Sequence, residues 1–303
     1  MELILFAFGA SVGSFLKVIA DRYEPHLFLW DKKIIGGLLR RSSSEASRSR
    51  CPSCGAELRW FELIPIFSFF VQKGRCRRCH QKIGLQYPLV ELISGFIFVF
   101  IPQNLKFLSS LPARLAPQLG AGGHSPFFAL SVLWVSVFSI LLLISLIDFR
   151  LRIIPDETNI ILLILGIFIL FFQPFGDLQG SFLKHYALLF GWRQNVFFNH
   201  LFALFAAGAF FLILILLTKG RAMGVGDLKL AAALGFVFGW PDIILITVLS
   251  FVIGSCIGVG AIMSHKKNMK SYLAFGPFLG AASLVVFFFG YQIVDFYFRL
   301  FKL

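Results

Sequence analysis

Two carboxylates in this chain stand where carboxylates are costly. Asp148, in Leu146-Ile147-Asp148-Phe149, ends one long apolar run, and Asp227, in Gly224-Val225-Gly226-Asp227, precedes another. An acid beside a membrane span is held there against a desolvation cost. Two such acids that meet at about 3 Å cannot both ionise comfortably, so they share one proton near neutral pH. The charged member can take a proton from water as that water attacks a peptide carbonyl. The protonated member polarises the carbonyl and then donates to the leaving amine. The pair titrates as a unit, so residue type alone does not tell base from acid. Gly224 and Gly226 suit such a site, because glycine opens backbone conformations closed to other residues and lets a peptide strand come close. The same glycines are a weak phosphate loop, with neither a strand context nor a following Lys-Ser/Thr. Taken singly, each Asp also reads as a helix cap or interface anchor. Asp156 and Glu157 follow Pro155 at the start of the next run, where acids suit a helix N-terminus. Asp156 reads as a cap that can also shape the site, and Lys229 stands two residues past Asp227. Asp242 and Asp295 are weaker candidates.

A second constellation is made of sulfur. Cys51-x-x-Cys54 and Cys76-x-x-Cys79 are separated by 21 residues. Each pair can clamp one side of a tetrahedral ion, and two pairs make a four-thiolate zinc site with no open position for water, hence a structural one. Arg75, Arg77 and Arg78 help keep the thiolates deprotonated. His80 is an alternative ligand. Two disulfides are the competing reading, disfavoured on a reducing cytoplasmic side. Cys256 lies within an apolar run and reads as a packing residue.

The elements that must position these groups are membrane helices. The chain is 58% hydrophobic with 39 Phe and a mean hydropathy of +0.83, which excludes an ordinary soluble domain. Eight spans are expected: 2–20, 87–102, 127–147, 158–175, 199–218, 228–240, 243–263 and 274–298. Those at 87–102 and 228–240 are short, and Pro241-Asp242 gives the second a re-entrant reading. The first lacks a basic lead-in and a cleavage site, so it reads as a retained helix rather than a signal peptide. Gly9/Gly13, Gly235/Gly239 and Gly254/Gly258 have the four-residue spacing that lets helices approach closely.

The net charge of +13 does not imply nucleic acid, because it is distributed by loop. With loops assigned to alternate sides, one side carries twenty Lys and Arg and the other six, thirteen of them in residues 21–86. The positive-inside rule makes the richer side cytoplasmic and puts both termini outside. Asp148 and Asp227 then fall on the cytoplasmic side. Residues 40–50 are basic and of low complexity, a mobile tether attracted to anionic lipid. Residues 103–126 lack catalytic types, and 176–198, with His185, reads as an interfacial belt. The expected fold is an all-α polytopic membrane protein of about eight transmembrane helices. A first helix (1–20) leads into a cytoplasmic loop (21–86) with a small four-cysteine zinc-binding module (51–82), and residues 87–303 form a transmembrane peptidase domain.

With those residues in hand, the chain resembles the bacterial prepilin peptidases, the bifunctional leader peptidases and N-methyltransferases of type IV pilus and type II secretion systems. The resemblance rests on six blocks in order. They are Gly13-Ser14-Phe15-Leu16-Lys17-Val18, the two cysteine pairs, Tyr87-Pro88-Leu89-Val90-Glu91, Leu146-Ile147-Asp148 through Ile154-Pro155-Asp156, Gly224-Val225-Gly226-Asp227-Leu228-Lys229-Leu230, and Phe275-Gly276-Pro277-Phe278. It implies a prepilin or pseudopilin substrate whose short basic leader is cut before its apolar helix, at the cytoplasmic face of the inner membrane. It carries catalysis to Asp148 and Asp227. It also implies methylation of the new N-terminus, with S-adenosylmethionine as donor, and ties methyl transfer to Gly74-Arg75. The family has Lys where this chain has Arg75, and Asn where it has Lys17. Arg keeps the charge but not the geometry. A reading from another class is a non-catalytic zinc-binding membrane scaffold of a secretion or pilus system, for which the cysteines matter and the aspartates do not. A transporter is disfavoured, since the acids stand at the rim rather than at mid-membrane.

Overall fold

An apolar run in lipid has no water to satisfy its backbone, so it must close its own hydrogen bonds as a helix. The structure, a computed structural model, describes residues 1–25, 51, 53–109, 127–172, 181–183, 186, 195–221, 223–264 and 273–300. The tether at 40–50 and His185 lie outside the described residues. Among the described residues the secondary structure is helical, with no strand beyond isolated bridges, among them Arg75 with Lys82.

All eight expected apolar helices are present. They are α1 (Glu2–Arg22), α3 (Gln86–Ser109), α4 (Phe127–Leu151), α5 (Asp156–Phe172), α6 (Val196–Leu217), α7 (Val225–Phe238), α8 (Asp242–Met263) and α9 (Gly276–Leu300), with a short α2 (Phe67–Val71) between the first two. Six of them, α1, α3, α4, α6, α8 and α9, are long and apolar enough to cross a membrane. The second helix, expected to stop near 102, runs 24 residues with Pro102 inside it. The helix expected at 228–240 has 14 residues, about 21 Å at 1.5 Å per residue, short of a bilayer core of about 30 Å. It stops at Gly239, whose φ of +77° a side chain rarely adopts, and Pro241 follows.

The chain divides into two compact units, residues 1–103 and 104–303. In the first, α1 and α3 pack through their small residues. A Cβ on Gly13 would meet the Ser94 Cβ at 2.6 Å, and one on Gly9 would meet Phe98 at 2.7 Å. That close approach lets the Ser94 hydroxyl donate to the Gly9 carbonyl at 2.7 Å. In the second unit α7 is the hub. It packs on α5, α6, α8 and α9, and eight of its residues from Leu230 to Phe238 are buried. A Cβ on Gly235 would lie 2.5 Å from the Ala203 carbonyl oxygen on α6, so that spacing, too, marks a close helix pair.

Candidate active site and cysteine cluster

The aromatic contact between α4 and α7 and the length of each helix put the two acids toward the same end. Far from the acids, Trp134 of α4 meets Phe238 of α7, ring centroids 5.1 Å apart, in a cluster with Phe138, Phe182 and Phe287. The helices arrive there from opposite chain directions. Asp148 lies 14 residues beyond Trp134, about 21 Å along α4, and Asp227 lies 11 residues before Phe238, about 17 Å along α7. The aromatic cluster therefore sets one end of both helices, and the acids share the other. Asp227 is within electrostatic reach of Asp148.

Each carboxylate is held by one backbone donor at a helix start. Asp148 lies inside α4, near its C-terminal end, and is 4% exposed. Its Oδ2 accepts the Gly276 N–H at 2.8 Å. Gly276 opens α9, where the N–H groups of the first turn have no helical partner and the dipole is positive. A side chain at 276 would displace that carboxylate, since a Cβ would lie 2.7 Å from Asp148 Oδ2. Asp227 occupies the first turn of α7, and its Oδ2 accepts the Gly224 N–H at 3.1 Å. The capping reading of Asp227 thus holds together with its nearness to Asp148. Gly226 packs on Ile154, whose Cβ is 3.3 Å from where a Gly226 Cβ would stand. Arg152, with φ +57°, turns the chain after α4, and its N–H closes on the Asp148 carbonyl at 2.8 Å.

Asp156 heads α5, but its side chain is taken up by a cation. Lys229 Nζ reaches both of its oxygens, at 2.8 and 2.9 Å. This pair bolts the start of α5 to the first turns of α7, beside Asp227. Gly276 is the contact that residue types did not single out as part of the site. Its signal was Gly-Pro at the head of an apolar run, a helix-start pattern. Asp242 is fully buried in the first turn of α8.

The four cysteines converge. Cys51, Cys54, Cys76 and Cys79 place their sulfurs within 4.8 Å of one another, close enough to hold a metal. None is in a disulfide. The Cys51–Cys79 separation is 3.8 Å, the edge of a tetrahedron with metal–sulfur arms of about 2.3 Å. The two turns are built alike. The Gly55 N–H closes on the Cys51 carbonyl and the His80 N–H on the Cys76 carbonyl, with positive φ at Gly55 and at His80. His80 is thus a turn residue and stands outside the sulfur cluster. His80→Gly is expected to leave metal content unchanged, measured by elemental analysis of the purified protein, because glycine adopts that φ without strain. Backbone N–H groups of Cys54 and Ser53 hold the Cys51 thiol down to about 6. Cys79 is pushed up to about 11; the Gln81 N–H works against this shift, which burial and the other three sulfurs drive. Gly74, with φ +66°, lets the chain leave α2 for the second cysteine turn, and its N–H closes on the Phe69 carbonyl. Arg75 is exposed beside it.

Comparison with known proteins follows the same division. A family described as Bacterial Peptidase A24 N-terminal domain matches residues 7–105, and one described as Type IV leader peptidase family matches residues 135–259. The chain is 29% identical over 303 residues to the prepilin leader peptidase/N-methyltransferase of Bacillus subtilis (strain 168), covering 99% of each. It is 30% identical over 293 residues to the protein so named from Burkholderia pseudomallei (strain K96243), covering 93% of this chain and 83% of that one. A Pseudomonas aeruginosa protein of the same name is 29% identical over 299 residues, with 95% and 90% covered. No solved structure matches the chain.

Proposed function

Because this chain belongs to the Type IV leader peptidase family, we propose that Asp148 and Asp227 are the acids with which it cuts its substrate. The protein is a multi-pass inner-membrane enzyme that removes the leader from type IV prepilins and N-methylates the product. The observation that carries the residue assignment is the convergence of the two acids. Both stand at one end of α4 and α7, each with an oxygen on a backbone N–H at a helix start. One acid takes the proton of the attacking water, and the other donates to the leaving amine. The N–H groups hold the carboxylates in place without a side chain between them. The basic loops favour the cytoplasmic side for this end. There a basic leader stays in water while the apolar helix of the prepilin remains in lipid.

Zinc is the ion that fits the cysteine cluster, held by Cys51, Cys54, Cys76 and Cys79. Four thiolates leave it a structural task. The methyl donor of this reading is S-adenosylmethionine, and Gly74-Arg75 is the segment assigned to methyl transfer. Beside the second cysteine turn is a cleft of about 210 Å³, lined by Glu57, Arg59, Glu62, Arg77 and Arg78 among others. Both signs of charge line it, as the ammonium and carboxylate of the donor's amino-acid end require. Mass spectrometry of a co-expressed prepilin tests the whole reading. It should show the leader removed and a methyl group added; an uncut precursor sinks the assignment.

The Asp156–Lys229 bolt carries its own prediction. Reversing either charge, Asp156→Lys or Lys229→Asp, is expected to slow cleavage about tenfold, or about 1.4 kcal/mol in barrier. The double swap should recover most of that rate in a membrane cleavage assay. No recovery would mean that one of the two touches the substrate directly.

A further inference from the structure

A buried carboxylate in the first unit does work that neither cleavage nor metal binding requires. Glu91 lies on α3, five residues past its start and 8% exposed. Its Oε2 accepts the Ile66 backbone N–H at 2.7 Å, and Ser14 of α1 hydrogen-bonds the same carboxylate. Ile66 has φ +63° and ψ −54°, and the Phe67 N–H closes back on the Pro65 carbonyl at 2.5 Å. This tight three-residue turn is rare and strained for a β-branched residue. Such strain persists only where the surroundings over-determine it. Here it is held by Glu91, which gives the turn's N–H a partner.

The depth of that contact is informative. One turn nearer the helix ends lies a polar belt. Lys17 pairs with Asp21 at 2.6 Å and sits over the Tyr87 ring at 5.3 Å, and the Tyr87 hydroxyl donates to Asp21 at 3.2 Å. A Tyr and charged side chains at the end of two spans mark the water–lipid boundary. Ser14 and Glu91 lie one turn deeper than Lys17 and Tyr87, about 5 Å toward the apolar core. The Glu91–Ile66 bond therefore pulls the 63–71 segment down to that boundary. A non-helical backbone at such a depth must find partners within the protein, and Glu91 is the partner of Ile66.

What the segment shows to its surroundings is apolar. Among the described residues, Phe67 is 62% exposed, Phe70 70%, Val71 49%, Leu63 48% and Leu85 72%. No residue of α2 is buried. Exposed Lys73, Arg75, Arg77, Arg78 and Lys82 follow directly, while Glu57 and Glu62 lie before the turn. An apolar face flanked by cations, fixed at the mouth of a span, is the pattern of an interfacial helix on an anionic bilayer.

We propose that α2 is a membrane-surface anchor. Phe67, Phe70 and Val71 enter the lipid between headgroups and acyl chains, the basic residues of the second cysteine turn face phosphate, and Glu91 sets the depth. The occupant of this face is the bilayer itself. The anchor tethers the cysteine module at the mouth of α3. It is independent of which residues cut the substrate.

The test uses the full chain in liposomes of phosphatidylethanolamine and phosphatidylglycerol. Phe70→p-benzoylphenylalanine, and the same change at Phe67, are irradiated and digested. The expected result is a phospholipid adduct on peptides carrying position 67 or 70, with none from the same photo-reactive residue at Glu57, an exposed acid outside the basic run. No lipid adduct, an equal adduct at 57, or an adduct only to a second protein chain would overturn the proposal. Phe67→Ser/Phe70→Ser should keep its metal, which shows the module still folded. Prepilin cleavage by the labelled protein is scored in parallel, so a failed anchor is not confused with a failed dyad.

Discussion

Asp227→Asn is expected to leave the protein inserted and to stop leader removal, with a rate loss of at least 10²–10⁴ for a displaced general acid or base. The choice of Asn is what makes the result informative. Its side-chain carbonyl can still accept the Gly224 N–H, so the start of α7 keeps its cap. A cap-only Asp227 would therefore tolerate the change. Asp148→Asn is expected to fail equally for want of the acid, while its carbonyl still accepts the Gly276 N–H and keeps the start of α9 in place. The double variant should be little worse than either single one, since acids that act as a unit do not lose rate additively. The measurement is the fraction of prepilin cleaved over time in membranes of each variant. Wild-type processing by Asp227→Asn would leave the account without a catalyst.

The second large effect concerns the cysteines and should have the opposite selectivity. Cys51→Ser removes one of four ligands, and structural zinc contributes about 10–16 kcal/mol to the folding of small metal domains. The module between α1 and α3 is then expected to lose its metal and its fold. Methyl transfer should stop, while cleavage continues at Asp148 and Asp227, which belong to the other unit. Mass spectrometry of the processed prepilin would show the leader gone and no methyl added. A methylated product from Cys51→Ser would separate the module from that reaction. Acid should mimic the substitution in part. Metal binding needs thiolates, and protons compete with the metal for all four sulfurs, so metal release should increase as pH falls. Crossing the two variants also decides between enzyme and scaffold, since a scaffold would lose function with Cys51→Ser and keep it with Asp227→Asn.

Hydropathy and residue spacing by themselves determined a good deal. They placed eight helices and two cysteine pairs, because an apolar run in lipid has only the helix open to it and a Cys-x-x-Cys turn is local chemistry. They placed the two acids at span ends, and charge asymmetry assigned both to one side. Tertiary structure decided the rest. The meeting of Trp134 with Phe238 sets the level of Asp148 against Asp227. The N–H that holds Asp148 comes from Gly276, 128 residues away. Lys229 pairs with Asp156 in the first turn of α5, and Glu91 draws Ile66 to the mouth of α3. The physical reason is range. A helix is chosen by the residues within a few turns of it, whereas register, depth and the partner of a buried carboxylate depend on how distant helices pack, which no local pattern records.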